Sequence, residues 1–238
     1  MKKSDVKVRK KTITTFIILA ILVILLFWIG NAVVLYLSIS RYDTYWKNRT
    51  KESGSLTYVA LGDSAAQGIG ASKPENGYVG LIARQLEQKT GKTVRVVNVS
   101  RTGAKIQDVL DRQLNLVRDI KADVVTIEIG ANDINNFDDV SFKAQFELVA
   151  SRLPKGTYVS NMPYFGSRPA SRQNAFQASE IIHTVLAKHQ QLIPVDLQTI
   201  TQSRNSNRGY AADYFHPNNR AYKNWAEAFW KEINKKQR

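Results

Sequence analysis

Four short runs hold residue types that can do chemistry together: Gly62-Asp63-Ser64, Asn98-Val99-Ser100-Arg101-Thr102-Gly103, Gly130-Ala131-Asn132-Asp133 and Asp213-Tyr214-Phe215-His216-Pro217. A serine hydroxyl is a poor nucleophile at neutral pH until a base takes its proton. His216 is the natural base for Ser64. Asp213, three positions earlier on a tight turn, can reach the imidazole Nδ1–H and leave Nε2 facing the serine. Attack by Ser64 on a carbonyl creates an oxyanion that needs donors fixed in advance. Three candidates are the backbone N–H of Ser64, the backbone N–H of Gly103 and the side-chain amide of Asn132. Gly103 has no Cβ to keep the backbone away from a substrate. Asp133 is assigned to holding its own loop, because Asp213 has the better spacing for His216. His183 and His189 lie six apart on one predicted helix, so they do not share a face and receive no chemical role. Each run alone has a plain structural use, as a helix cap, a turn glycine or an Asx turn. All four in this order point to acyl transfer through a serine.

These residues are useful only if the chain brings them together. Apolar, β-rich runs at 57–61, 94–99, 124–129, 157–161 and 192–195 alternate with amphipathic stretches at 78–90, 106–120, 141–153, 174–190 and 217–235. That alternation predicts an α/β domain, a parallel sheet covered by helices on both faces, with right-handed crossovers favouring a doubly wound layout. Active sites in such sheets form at the carboxyl ends of strands, beside a switch in strand order. Ser64 follows the first predicted strand, Gly103 the second, Asn132 the third, and Asp213 and His216 come after the fifth. With a strand order of 2-1-3-4-5, Ser64, Gly103 and Asn132 become neighbours. Pro217 suits the first turn of a helix, which would put His216 at the entrance of the last one.

Composition narrows the setting. The 238 residues leave room for one ordinary globular domain after an N-terminal apolar segment. The absence of cysteine excludes disulfides, zinc–thiolate sites and a lipid-modified N-terminal cysteine. The net charge of +14 is concentrated at the ends: residues 1–12 hold six cations against one acid, and residues 220–238 hold six against two. No recognition motif or aromatic platform supports nucleic-acid binding, so a solvated basic face or attraction to an anionic surface is the better account. From Phe16 to Leu37 the one strongly polar residue is Asn31, and the run is long enough to cross a bilayer core. The expected layout is a cytoplasmic basic tail at 1–12, a transmembrane anchor at 13–39, a polar tether at 40–55 and a folded domain at 56–238. Basic residues ahead of the span place the domain outside. Tyr36, Tyr42, Tyr45 and Trp46 then fall where an outer aromatic belt would sit. Cleavage after Ala32, as in a signal peptide, is the competing expectation. Hydrophobicity resumes at once in Ala32-Val33-Val34-Leu35-Tyr36-Leu37, which favours an uncleaved anchor.

The four runs resemble the four motif blocks of the SGNH (GDSL-type) hydrolase superfamily, over roughly residues 56–235. The resemblance implies a flavodoxin-like three-layer fold with a five-stranded parallel sheet and hydrolysis of carboxylic esters without metal or other cofactor. Carried over by position, it makes Ser64 the nucleophile, His216 the base and Asp213 its partner, with Ser64, Gly103 and Asn132 as the oxyanion hole. Ala65 stands where the GDSL pattern has leucine, a position that touches no chemistry. The Gly-x-Ser-x-Gly elbow of α/β-hydrolases is absent. The leading expectation is a membrane-anchored, lipase-like serine esterase outside the cytoplasmic membrane, acting on a small-molecule, lipid or glycan ester. Met162-Pro163-Tyr164-Phe165, Tyr210 and Tyr214-Phe215 are candidate pocket walls. The alternatives are an O-acetyl esterase of cell-wall or capsular polysaccharide and, in another class, a non-catalytic wall-binding protein on the same fold.

Overall fold

Strand β1 (Leu56–Gly62) shows why the sheet must be covered on both sides. Tyr58 and Ala60 point to one face, Val59 and Leu61 to the other, and all four are buried. Side chains alternate along a strand, so one that is apolar at every position needs helices above and below it. β2 (Val94–Asn98), β3 (Val124–Glu128), β4 (Tyr158–Ser160) and β5 (Ile193–Val195) join β1 in one parallel sheet of order β2-β1-β3-β4-β5. This is the expected order. The last two strands are shorter than expected, at three residues each.

The computed structural model describes residues 3–236, with side chains described for residues 13–235. The helices are α1 (Lys3–Arg49), α2 (Ser64–Gln67), α3 (Tyr78–Thr90), α4 (Ile106–Asp108), α5 (Leu114–Val117), α6 (Asp139–Arg152), α7 (Pro169–Lys188), α8 (Leu197–Ser203) and α9 (Asn219–Lys236). α6 and α7 close one face of the sheet with Phe142, Phe146, Val149, Ile182 and Val185 against Val59, Leu61 and Ile127. α3 and α9 close the other, where Tyr222, Trp225, Phe229 and Ile233 recur at helical spacing and meet Tyr78, Ile82 and Leu86.

Three local departures have physical causes. The helix expected at 106–120 is broken by a π turn at Val109–Gln113. The wider turn swings Gln113 inward, where its amide accepts from Gly62 N–H (2.9 Å) and donates to Gly62 C=O (2.8 Å). The last helix begins at Asn219 rather than at 217, because Asn218 Oδ1 accepts from Arg220 N–H (3.0 Å) and Pro217 bridges back to Tyr210. His216 therefore lies in a loop ahead of the helix and not at its first turn.

The third departure is the expected tether at 40–55. α1 instead runs unbroken for 47 residues to Arg49. Over its last turns one face is buried, with Ser38, Tyr42 and Trp46 spaced by four. Tyr42 Oη donates to Ala71 C=O (2.6 Å) and Trp46 Nε1 to Gln67 C=O (2.9 Å). By composition the stretch is polar, but two large aromatics with fixed acceptors dock it on the domain as a helix. Tyr42 and Trp46 thus lie inside the protein rather than in an aromatic belt, whereas Tyr36 is exposed and Tyr45 half-buried. The N-terminal part of α1 is long and apolar enough to cross a membrane, as membrane anchors and signal sequences both are, and its apolar side chains are exposed. The six cations of the basic tail lie outside the residues whose side chains are described.

Candidate active site

Ser64 is the first residue of α2, immediately beyond β1. The preceding Asp63 caps this short helix, its Oδ1 accepting from Ala65 N–H (2.8 Å). Ser64 itself caps nothing. Its hydroxyl lies 2.9 Å from His216 Nε2, and His216 Nδ1 lies 2.5 Å from Asp213 Oδ2. Residues 152 positions apart are thus joined in one hydrogen-bonded line.

The loop that carries Asp213 and His216 is built tightly. Tyr214 takes a left-handed conformation (φ 52°), rare for a side chain of its size. The turn lets Asp213 Oδ1 accept from both Phe215 and His216 N–H (3.0 Å each) while Oδ2 holds the imidazole. Burial opposes the charge on Asp213, but the hydrogen bond and charge of His216, with those two N–H groups, hold its carboxyl below the ordinary range. Gly70 (φ +93°) backs the loop: a Cβ there would lie 2.4 Å from Pro217 O and 2.8 Å from the Cβ of His216. Only glycine permits that approach.

The second and third motif blocks are laced to the first. Gln67 Oε1 accepts from the N–H and hydroxyl of Thr102 (2.8 and 2.5 Å), and Asn98 Nδ2 donates to Ala66 C=O (2.8 Å). Asn132 Nδ2 donates to Ala104 C=O (3.0 Å) and makes a long contact with Asp63 Oδ2 (3.4 Å). Asn132 is thereby fixed between the neighbours of Gly103 and of Ser64. Gly103 has φ +78°, and a Cβ built on it would meet nothing within 4 Å. Among the described residues, the N–H groups of Ser64 and Gly103 have no protein acceptor. Asp133 Oδ2 accepts from Ile106 N–H (3.3 Å), a loop-holding bond. Its carboxyl is raised to about 6, by burial first, against that hydrogen bond. His189, just past the end of α7, pairs with Glu147 of α6 (2.6 Å) and with no residue of this line.

A cleft opens at Ser64 and His216. Pro163, Tyr164, Phe165, Tyr210 and Phe215 are among its walls, with Arg204 and Arg220 at its margin. Met162 is fully buried, and Tyr214 points away from this cleft to stack on Trp28 of α1, ring centroids 5.9 Å apart. Arg168 lies over the Phe215 ring at 4.4 Å and so braces the wall beside His216.

Two groups under the site are absent from the sequence-based expectation. Asp63 is buried and its carboxyl is raised to about 6, by burial first, with the Ala65 N–H and the charge of His216 pulling the other way. Glu128, at the end of β3, is also buried. Among the described residues neither of its oxygens has a hydrogen-bond partner. Burial, then the charge of Asp63, pushes its carboxyl well above the ordinary range. The signal for it in the sequence is an acid inside the otherwise apolar run Val124-Val125-Thr126-Ile127-Glu128-Ile129.

Known proteins share both sequence and fold with this chain. A spore germination lipase of Bacillus licheniformis is 31% identical over 83 residues, which span 34% of this chain and 39% of that protein, less than two thirds of its length. Among solved structures, a lipase/acylhydrolase from Enterococcus faecalis superposes with a TM-score of 0.63 at 22% identity, covering 76% of this chain and 96% of that one. An acetylxylan esterase from Geobacillus stearothermophilus gives 0.59 at 22%, covering 76% and 95%. An α/β hydrolase enzyme from the metagenome of Lake Arreo, Spain, gives 0.63 at 22%, covering 77% and 97%. At such identities these likenesses show the fold. The sequence model of the GDSL-like lipase/acylhydrolase family matches residues 60–223, so the chain belongs to that family.

Proposed function

We propose that the protein is a lipase-like serine esterase that uses Ser64, His216 and Asp213 as a catalytic triad, outside the cytoplasmic membrane. The line from Asp213 Oδ2 through His216 to Ser64 Oγ is the observation that carries this reading. With Nδ1–H donated to Asp213, Nε2 accepts the hydroxyl proton as Ser64 Oγ attacks the ester carbonyl carbon. The oxyanion is received by the N–H groups of Ser64 and Gly103, which have no competing acceptor among the described residues, and by Asn132 Nδ2 in exchange for its long contact to Asp63. Collapse expels the alcohol, which takes the proton from His216 Nε2. Water then attacks the acyl-serine with His216 again as base, and the acid leaves. Asp213 keeps the imidazole in the required tautomer and stabilises its charged form.

The proposed layout is a cytoplasmic tail at 1–12, an anchor at 13–39 and a hydrolase domain at 56–238, with the end of α1 docked on that domain. The lipase relative and the acetylxylan esterase neighbour frame two substrate classes: carboxylic esters with a lipid acyl chain, and O-acetyl groups of cell-wall or capsular polysaccharide. The apolar and aromatic walls at Pro163, Tyr164, Phe165 and Phe215 favour the first. The test uses the full chain in detergent. A fluorophosphonate should label it, and Ser64→Ala should abolish labelling and turnover of nitrophenyl esters together. Labelling that survives in Ser64→Ala would sink the assignment of the nucleophile, and an intact wild type inert toward nitrophenyl esters and acetylated glycan alike would favour the non-catalytic alternative.

A further inference from the structure

The face of α1 that docks the domain does not stop where the apolar run begins. Trp28, Ala32, Leu35 and Ile39 recur at intervals of three and four, in line with Tyr42 and Trp46, so all share one side of the helix. Beyond Ser38 this side stands off the domain until Trp28, which stacks on Tyr214. A groove of about 240 Å³ opens between them instead. Ala32, Leu35, Tyr36 and Ile39 form one wall, Ile69 and Ala212 the opposite one, and the inner end is Asp213 and His216. Its walls are almost wholly carbon. A groove of that kind running up to a catalytic imidazole does not suit a sugar or a small polar ester.

Height along α1 identifies what can reach it. Trp28 stacks on Tyr214, the residue next to Asp213, and Trp28 lies well inside the apolar run that ends at Leu37. At about 1.5 Å per residue the contact is roughly 13 Å below the upper end of that run. With the Trp28–Tyr214 pair at the membrane interface and the part of α1 ahead of it crossing the bilayer, the loop of Asp213 and His216 sits against the lipid surface and not above it, and the groove opens toward lipid. A tryptophan and a tyrosine at that level match side chains that favour the membrane interface.

We propose that the groove between α1 and the 211–216 loop is an acyl-chain site that admits a bilayer lipid ester sideways from the membrane, with the membrane helix itself as one wall. This rests on the anchored-esterase function proposed above and narrows its substrate to long-chain esters held in the same membrane. Catalytic preference then follows chain length, because each methylene buried in such a groove contributes up to about four-fold in kcat/KM.

The test uses the full chain in phosphatidylcholine nanodiscs, with nitrophenyl esters from acetate to palmitate. In the wild type kcat/KM should rise with chain length, and Ala32→Trp, which fills the groove, should lower the palmitate-to-acetate ratio at least ten-fold. A ratio unmoved in Ala32→Trp overturns the site. A second measurement does not need turnover: the Ser64→Ala chain in phosphatidylcholine vesicles carrying a lipid with a diazirine near the end of its acyl chain. Crosslinks at Ala212, across the groove from α1, support the site, whereas crosslinks confined to the outward face of α1 overturn it. A wild type that turns over no ester but crosslinks at Ala212 removes the esterase assignment while leaving a lipid groove.

Discussion

Asp213 has two oxygens and meets three donors with them, two backbone N–H groups and the His216 imidazole. The backbone bonds shape the turn and the imidazole bond sets the tautomer, so the two tasks can be separated. Asp213→Asn keeps an oxygen for the backbone but presents the wrong partner to Nδ1. It should fold normally and lose about 10⁴-fold in kcat, measured on a nitrophenyl ester in detergent. A loss of only a few-fold would remove Asp213 from the proposed triad. Glu128 offers a different readout. Its carboxyl binds a proton more tightly in the folded state, so its contribution to stability is fully present below its ordinary value of 4.5 and is lost as pH rises toward the folded value. The slope is about 1.4 kcal/mol per pH unit. Asp63 adds a slope of the same sign between 3.8 and about 6. Glu128→Gln removes the contribution of that carboxyl, so its melting temperature relative to wild type should climb as pH rises above 4.5. An offset that stays constant with pH would mean that Glu128 does not carry the burial penalty. At this scale the sequence shows Ser64, Asp213 and His216 readily, because each stands in a short run of distinctive residue types just past a strand. Gly70 and Glu128 are harder to see. The need for glycine at 70 comes from Pro217 and His216, and the burial of Glu128 comes from helices on both sides of the sheet; neither neighbour is near in sequence.

Among the elements, the five strands and helices α3, α6, α7 and α9 follow from periodicity, because each buries a face against the sheet and carries that face in its own sequence. Elements shaped by a single distant partner are not legible in that way. The π turn at Val109–Gln113 exists to bring one amide to Gly62, and the residues around it read as plain helix. The end of α1 is the larger case. Over residues 40–49 hydropathy reports a polar stretch, whereas the buried pair Tyr42 and Trp46 makes it part of the domain. Trp46→Ala should therefore cost roughly 3–5 kcal/mol, the usual range for removing a buried aromatic. The check is the urea midpoint of the full chain in detergent. A change below about 1 kcal/mol would return residues 40–49 to the status of a linker.

For the molecule as a whole, the proposed orientation follows from the cations ahead of the apolar run and from a domain placed after it. Protease added to wall-stripped cells should degrade the domain while untreated membranes carry the full-length chain. Complete protection would reverse the orientation, and a soluble form beginning at Val33 would show that cleavage follows Ala32. The unbroken passage of α1 from apolar run to domain has one more effect. A jointed protein can tumble over a surface and sample substrates at many heights. If the apolar part of α1 lies in a membrane, as proposed, helix and domain turn together, so a tilt of that segment is passed to the mouth of the cleft. Under that proposal a thicker or thinner bilayer changes the angle at which the site faces its substrate, and membrane composition becomes a mechanical setting of the cleft.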